Sequence, residues 1–569
     1  MIRALFSDTL QITPYDFNGK VLEKIKSIPY VKDFWPVVYI ITDENNKQAY
    51  IGESANAFAR IKNHLENPKR RLLTRIYLIT CDKFHKSSTL HIESSLINYM
   101  SADNLFSLQN GNAGMLRHTY YQWKLYDEVF DTVWDELKKF GLAVGARTSI
   151  DNSSLFKFSP YKSLTEDQFS AANEVLGHLS EKKQSTTFIQ GSAGTGKTIL
   201  AIYLVKLLLT DSDELDEINI DPDTTQQISQ LRKFKKKYRK KPKVALVVPM
   251  TSLRGTLQKV FKQIDGLSAG MVIGPSEVFY DNYDILIVDE AHRLKRRTGI
   301  TNYRSFDINN RKLSLDNNGT ELDWIERKSD HQILFYDSAQ SIKPADVRKN
   351  DFESLKKRKK AEQLFLFSQM RVKSNSDYVT FIDQLMHGRL SKGEAFEDNT
   401  YDFLLFDSVK DMVSRVKAMN EQHGLCRTIA GFAWKWESKP GKNKKSATAD
   451  INIDGELYKW NGTTKDWINS ENAINEIGCI HTTQGYDLNV VGIIIGHELS
   501  YDPKSGQLIV NKDRYLDPKG KAGLRTDSEL KEYIINIYKT MMFRGIRGTY
   551  IYACDPELRK YLKQHLRAA

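Results

Sequence analysis

The stretch TTFIQGSAGTGKT, residues Thr186–Thr198, decides how the rest of the chain is read. It opens on β-branched and apolar residues, passes through a run of small ones, and is followed by ILAIYLVKLLL at Ile199–Leu209. That order predicts a strand, a tight loop and a helix. The loop has the form G-x-x-x-x-G-K-[ST], with Gly191, Gly196, Lys197 and Thr198 in the fixed positions. Gly191, Gly194 and Gly196 let backbone N–H groups curl around phosphate oxygens, and the helix N-terminus adds the positive end of its dipole. Lys197 is placed to reach the β- and γ-phosphates of ATP, and Thr198 to ligate Mg2+. Downstream, DILIVDEAH (Asp284–His292) ends an apolar run on Asp289 and Glu290. An acid at a strand tip beside a phosphate loop can hold the metal, and its neighbour can align or deprotonate water. Asp289 is thus the expected metal ligand and Glu290 the expected catalytic carboxylate, with His292 part of the same motif rather than of a metal set.

Working outward, apolar runs alternate with helical segments: TTFIQ, KVALVVP, DILIVDE and QILFYD, then LFLFS, DFLLF, VVGIIIG and TYIYA. Near-continuous apolar strands separated by helices predict parallel sheets covered on both faces. Two sets, parted near the basic stretch 343–362, predict two α/β lobes, 161–350 and 351–569. Two segments interrupt the pattern. Residues 211–243 begin acidic and end in RKFKKKYRKKPK (Arg232–Lys243), and residues 437–453 are polar and rich in lysine. Both read as exposed insertions, and the span 436–475 has no mechanical role in this reading. With two aromatics interleaved, the first could track a phosphate backbone or could be a solvated arm. KKRKK (Lys356–Lys360) is similar but shorter.

Ahead of the lobes, residues 1–30 read as a lead-in, and VVYIIT and AYIG form two β-type runs around the turn-like DENNKQ. A helical stretch follows from Ser54 to Leu65, then the strand-like RIYLITC ending at Cys81, then a helix around SSTLHIESSLINYM. This predicts a small α/β module within residues 1–115. From Tyr120 to Phe140 aromatic and apolar residues recur at helical spacing and stop at Gly141, a C-cap signal. The aperiodic LAVGARTSIDNSSLFKFSP after it reads as linker, so 116–160 is expected to be a helical connector.

The chain's 569 residues fit three or four domains of about 100–200 residues each. A formal net charge of +12 favours a polyanionic partner, because phosphate contacts by Lys and Arg release condensed counterions. Cys81, Cys426, Cys479 and Cys554 lie far apart, which argues against a disulfide framework or structural zinc and fits a reducing cytoplasm. No apolar run approaches the ~18 residues of a membrane span, so no membrane partner is expected.

The order and spacing of the motifs resemble superfamily 1 helicases, and more closely the bacterial family grouped with the helicase-like part of Schlafen proteins. The resemblance covers about residues 160–569. LTEDQ (Leu164–Gln168) resembles the adenine-reading element, with Gln168 as reader. VVPMTSL (Val247–Leu253) resembles the first nucleic-acid-contacting motif, and FYDSAQ (Phe335–Gln340) the coupling motif with Asp337 and Gln340. FSQMR offers Arg371, HTTQGYDLN offers Gln484, Gly485 and Asp487, and FRGIRGTYIY offers Arg544. What this implies is two RecA-type lobes, with Arg371 and Arg544 reaching the γ-phosphate from the second.

The first module, over about residues 35–112, resembles the GIY-YIG nuclease family. VVY (Val37–Tyr39) and AYIG (Ala49–Gly52) carry the family name, followed by Arg60, His64, Glu93 and Asn110. The first position, usually glycine, is Val37. Singly, Tyr39, Tyr50, His64 and Glu93 are ordinary strand or helix residues; their order on these elements is what makes a site. Arg60 and His64, four apart, share a helix face. The resemblance implies that Glu93 holds one divalent cation, that Tyr39 positions or activates water, that Arg60 neutralises the transition state, and that His64 relays a proton or orients water.

The expected whole is an α/β protein: a GIY-YIG-like nuclease domain followed by two RecA-type parallel-sheet lobes. Its expected function is an ATP-dependent DNA nuclease–helicase, in anti-phage defence or DNA processing. An ATP-gated nuclease without translocation, and an enzyme directed at RNA, are the alternatives.

Overall fold

The computed structural model describes residues 9–112, 120–210, 222–238, 240–337, 340–369, 372, 377–438, 449–463, 466–483, 485–522, 524 and 526–569. The chain folds as two units: residues 1–181, 202–242 and 259–271 in one, residues 182–201, 243–258 and 272–569 in the other.

The first unit is built on a five-stranded sheet. Strands β1 (Gln11–Asp16), β2 (Val37–Asp43), β3 (Gln48–Ser54), β4 (Arg75–Thr80) and β5 (Ser107–Leu108) lie in the order β1-β4-β2-β3-β5. Residues 9–30 are therefore more than a lead-in. Gln11–Asp16 pairs antiparallel with β4, closing one edge of the sheet. β2 and β3 pair antiparallel with Tyr39 opposite Gly52 and Ile41 opposite Tyr50, so both tyrosines share one face. Helix Ala57–Glu66 covers that face, burying Ala57, Ile61 and His64, and Asn56 caps it by accepting from Ala59 N–H at 3.1 Å. Helix Lys86–Asp103 completes the module.

Helix Trp123–Lys139 follows, with Gly141 at φ +71° just past its end, where a left-handed residue finishes a helix. The stretch expected to be linker is folded. Helices Arg147–Asn152 and Ser154–Lys157 bury Ile150 and Leu155, because those apolar residues have the packed face of helix Lys86–Asp103 beside them. The basic segment is likewise not an exposed insertion over its described part. Helix Pro222–Lys237 lies along helix Glu166–Glu181 and buries Ile228, Leu231 and Phe234 at helical spacing. Each such side chain is worth about 1.5–3 kcal/mol, enough to fix the helix while Arg232, Lys233 and Lys236 stay on the outer face. Residues 211–221 lie outside the described residues.

In the second unit, two all-parallel six-stranded sheets form the two lobes. The first contains β6 (Ser185–Gly191), β7 (Val244–Val247), β8 (Val272–Ile273), β9 (Tyr283–Val288), β10 (Ser329–Tyr336) and β11 (Glu362–Leu366), in the order β11-β6-β10-β9-β7-β8. The expected boundary at 350/351 assigns Glu362–Leu366 to the second lobe. Instead it pairs with β6, Leu366 opposite Gly191, and forms the edge of the first sheet. Its connector, helix Lys349–Lys359, carries KKRK with Lys356 buried 5.1 Å from the Phe188 ring centroid and paired with Glu353 at 2.8 Å.

The second sheet and its satellites contain β12 (Asp402–Leu405), β13 (Arg427–Ala430), β14 (Ile451–Ile453), β15 (Glu456–Tyr458), β16 (Ile477–Gly478), β17 (Leu488–Ile495), β18 (Leu499–Asp502), β19 (Gln507–Val510), β20 (Gly545–Ala553) and β21 (Arg567–Ala568). Six of these make the sheet, in the order β16-β13-β17-β20-β12-β21. β14 and β15 form a hairpin whose Ile451 and Ile453, with Trp460, enter the lobe's core. The 437–453 segment is thus anchored by this hairpin, while 439–448 lie outside the described residues. The architecture is the expected one: a small α/β module and two RecA-type lobes.

Candidate functional site

The first cluster forms where β2, β3 and helix Ala57–Glu66 meet. Gly52 creates it: a Cβ there would stand 2.4 Å from the Tyr39 hydroxyl oxygen, so only glycine lets that ring lie across β3. The Tyr39 hydroxyl is 2.9 Å from His64 Nε2, and the Arg60 side chain hydrogen-bonds both tyrosine hydroxyls. The Tyr50 and His64 rings are 4.8 Å apart. Tyr39, Tyr50, Arg60 and His64 therefore come together as one group, with the two tyrosines and His64 buried and Arg60 half-buried.

Burial drives the chemistry here. Burial raises the Tyr39 phenol well above its ordinary range, with Tyr50 adding to the rise and Arg60 opposing it. Burial, then the cations Arg70 and Arg60, push His64 down to about 2, so its imidazole is neutral. Arg70 is a member that no sequence pattern supplied. Asn67 Oδ1 accepts from the Lys69 and Arg70 N–H groups at 2.9 and 3.0 Å, turning the chain so that the Arg70 guanidinium lies 3.7 Å from the Tyr50 ring centroid.

Glu93 approaches this group from helix Lys86–Asp103, and its carboxylate accepts from the Glu53 N–H. Burial and the neighbouring Glu53 carboxylate raise its pKa, against Lys86 and Arg60. A carboxylate held this way suits a divalent cation, which would relieve the like-charge penalty; no group of three or more acidic, His or Cys side chains is placed to hold a metal ion among the described residues. One protein carboxylate with water completing the shell is the donor set that Mg2+ commonly takes. Asn110 does different work: it accepts from Ile51 N–H at 3.1 Å and donates to Ile51 C=O at 2.8 Å, extending the edge of β3.

The second cluster sits where β6 and β9 end. Gly194 and Gly196 have φ of +87° and +73°, and the loop curls so that Lys197 Nζ donates to Gly191 C=O and Ser192 C=O at 2.7 and 2.8 Å. The same ammonium is 3.7 Å from Asp337 Oδ2. Thr198 Oγ1 donates to Asp289 Oδ2 at 2.8 Å, while Asp289 Oδ1 is buried with no hydrogen-bond partner among the described residues. Burial and Glu290 raise the pKa of Asp289, against Thr198 and Lys197. An unsatisfied buried carboxylate oxygen beside a threonine hydroxyl fits a divalent cation. Glu290 lies in the left-handed region at φ +50°, with His292 Nε2 2.9 Å from its Oε2. Burial pushes Glu290 up, but His292, Lys197 and Arg544 together hold it lower than usual. Gln340 donates to Asp337, whose N–H donates to His292 Nδ1 at 3.3 Å.

From the second lobe, Arg544 is 1% exposed, donates to Thr540 and Tyr486 carbonyls at 3.2 and 3.3 Å, and acts on Glu290. Gly485, at φ +87°, lies against Leu253, which a Cβ would approach to 2.8 Å. Beside it the Tyr486 hydroxyl meets Thr256 and Ser252 at 2.8 and 3.1 Å, so HTTQGYDLN touches the VVPMTSL segment of the first lobe. Asp487 is half-buried. Gln168 belongs to the first unit, fully buried, with Oε1 accepting from Thr165 N–H at 3.1 Å. Arg371 and Gln484 lie outside the described residues. Two further residues escaped the sequence patterns. Gln369 donates to Ala193 C=O at 2.8 Å. Asp346 accepts from Arg293 at 2.5 Å and from the Ile342 and Lys343 N–H groups at 3.1 and 3.0 Å.

Residues 184–555 match the family described as Schlafen group 3, DNA/RNA helicase domain, and residues 36–99 match the GIY-YIG catalytic domain. An uncharacterized protein of Saccharomyces cerevisiae is 28% identical over 305 residues, which is 49% of this chain and 64% of the yeast protein's length. Among solved structures, the chain is similar to the Pif1 helicase from Bacteroides in complex with ADP-AlF3 and single-stranded DNA, at 12% identity over 70% of this chain and 94% of that one, TM-score 0.28. It is also similar to the arterivirus nonstructural protein 10 helicase in complex with DNA, at 12% identity over 69% of this chain and 65% of that one, TM-score 0.27.

Proposed function

Because the chain belongs to the Schlafen group 3 DNA/RNA helicase family and carries a GIY-YIG catalytic domain ahead of it, we propose that it is an ATP-dependent DNA helicase and translocase whose N-terminal domain cuts phosphodiester bonds. The observation that carries the motor half is the meeting of Lys197, Thr198, Asp289 and Glu290 of one lobe with Arg544 of the other. Lys197 would exchange its carbonyl partners for the β- and γ-phosphates, and Glu290 would align the attacking water. Arg544 would stabilise charge on the transferring phosphoryl group, a role worth several powers of ten in rate. Thr198 and Asp289 would hold Mg2+, which supplies charge neutralisation to the phosphates. A cleft that completes its site with an arginine from the opposite lobe links lobe closure to turnover. That link is what stepping requires.

The nuclease half rests on the Tyr39–His64–Arg60–Tyr50 group and Glu93. Glu93 would hold a divalent cation that stabilises charge on the scissile phosphate. The Tyr39 hydroxyl, fixed by His64 and Arg60, would orient the attacking water, and Arg60 would meet the developing negative charge. Restriction of foreign DNA or processing of repair intermediates, in the cytoplasm, is the setting we infer. The test is phosphate release from ATP by Glu93→Ala protein with no nucleic acid, with DNA and with RNA. Stimulation by DNA supports the proposal, stimulation by RNA alone moves the substrate to RNA, and indifference to both leaves an ATP-gated nuclease.

A further inference from the structure

We infer that Lys86 is a phosphate-binding residue of the nuclease site, held in place by Glu53; this rests on the nuclease reading above. Neither residue belongs to the pattern that identified the module.

Glu53 follows Gly52 on β3 and is 2% exposed, an expensive place for a carboxylate unless it is paired. Its Oε1 accepts from Lys86 Nζ and its Oε2 from Thr89 Oγ1 at 3.1 Å. Lys86, Thr89 and Glu93 lie at i, i+3 and i+7 on helix Lys86–Asp103, so one helix face carries the ammonium, the hydroxyl and the candidate metal carboxylate. The Glu53 N–H donates to Glu93, and Lys86 acts electrostatically on Glu93, so the four groups form one constellation.

The two ends of the ion pair differ sharply in exposure. Glu53's side chain is 1% exposed and Lys86's is 51% exposed. A lysine packs its stem and keeps its ammonium in water, so Lys86 can neutralise Glu53 and still face solvent. Here the anionic end is an anchor and the cationic end faces solvent beside Glu93. Lys86 is also the first residue of its helix, where a cation opposes the helix dipole. A local rule broken in a folded site points to a use for the charge. Arg60 is half-buried and hydrogen-bonds both tyrosine hydroxyls, so its charge serves the reacting group. Lys86 can instead meet a backbone phosphate arriving from solvent. The ligand class is a phosphodiester of the strand to be cut.

Two measurements on the full chain test this. Steady-state cleavage of a DNA duplex by wild type, Lys86→Ala, Lys86→Arg and Glu53→Gln should show KM rising about tenfold for Lys86→Ala, the scale of one charge-assisted hydrogen bond, with kcat changed less. Lys86→Arg should restore KM, and Glu53→Gln, which keeps the charge but frees it, should fall between. Equilibrium binding of the same duplex to Glu93→Ala and Glu93→Ala/Lys86→Ala proteins is then followed against salt. Loss of one phosphate contact should make the log–log slope shallower by about 0.9. Unchanged KM and unchanged slope overturn the inference while leaving the nuclease reading intact. A shallower slope with no cleavage by wild type overturns the nuclease reading and keeps the phosphate site. Equal loss in Lys86→Ala and Lys86→Arg also overturns it, because the effect then follows packing rather than charge.

Discussion

His64 makes the nuclease module acid-sensitive. Burial and two arginines hold its folded-state pKa at about 2, while the unfolded chain titrates near the ordinary 6.5. Below 6.5 the unfolded state therefore binds a proton that the folded state refuses, so stability falls as pH falls. Between pH 7 and pH 5 the unfolded imidazole gains about 1.4 pH units of protonation free energy, or about 2 kcal/mol at 1.36 kcal/mol per unit. Glu93, whose pKa is raised, works in the opposite sense, since its folded form takes a proton first. The two are separated by comparing wild type with His64→Gln, both of which keep Glu93. Hydrogen exchange of the β2 and β3 amides, corrected for intrinsic rates, should show wild type losing about 25-fold more protection than His64→Gln over that interval. If the two proteins lost protection in parallel, His64 would not be a buried neutral histidine, and its place beside Tyr39 would need another account.

Three further outcomes follow from the geometry. Gly52→Ala puts a methyl 2.4 Å from the Tyr39 hydroxyl, and displacing that group should cut cleavage by about 100-fold and cost about 1–3 kcal/mol, read by cleavage kinetics and thermal melting. Lys197→Met removes the ammonium that the phosphate loop presents, and phosphate release should fall by about 100- to 1,000-fold with the fold retained. Asp346→Ala leaves Arg293 buried without its acid, which should cost about 3–5 kcal/mol, measured by urea unfolding.

The strands, the phosphate loop and the acidic strand tip were legible because each is local. Ser185–Gly191 is one strand, and the loop after it runs straight into the helix Lys197–Leu209, so period and spacing describe both. The same holds for Tyr39, Tyr50, Arg60 and His64, which lie on two adjacent strands and one helix. What the patterns missed depends on packing at a distance. Gln11–Asp16 reads as polar coil until β4 offers it an edge. Ile150 and Leu155 give too few apolar residues to mark helices, yet a neighbouring helix supplies their core. Arg232–Lys237 hides an apolar stripe because the residues that make it, Ile228, Leu231 and Phe234, are outnumbered by lysine. Glu362–Leu366 follows a basic run that looks like a break between lobes, although its strand returns to the first sheet beside β6.

The partners that hold the sites were illegible for one physical reason. A buried charge must be met by an opposite charge or a dipole, but nothing fixes which loop brings it. Arg70 comes from a turn after the helix that carries His64, and Glu53 from the strand facing Glu93. Asp346 is the most consequential case. It gathers Arg293, just after Glu290 and His292, together with the backbone of Ile342 and Lys343, just after Asp337 and Gln340. The loops that carry Glu290 and Gln340 are thereby tied through one buried carboxylate. The same loop reaches the second lobe, where Asn536 donates to Ser341 C=O at 3.5 Å from the helix Asp527–Met542 that leads into Arg544. Glu290 and His292 are thus connected, through Arg293 and Asp346, to the segment that follows Asp337 and Gln340. Through Ser341 that segment also meets the helix that precedes Arg544.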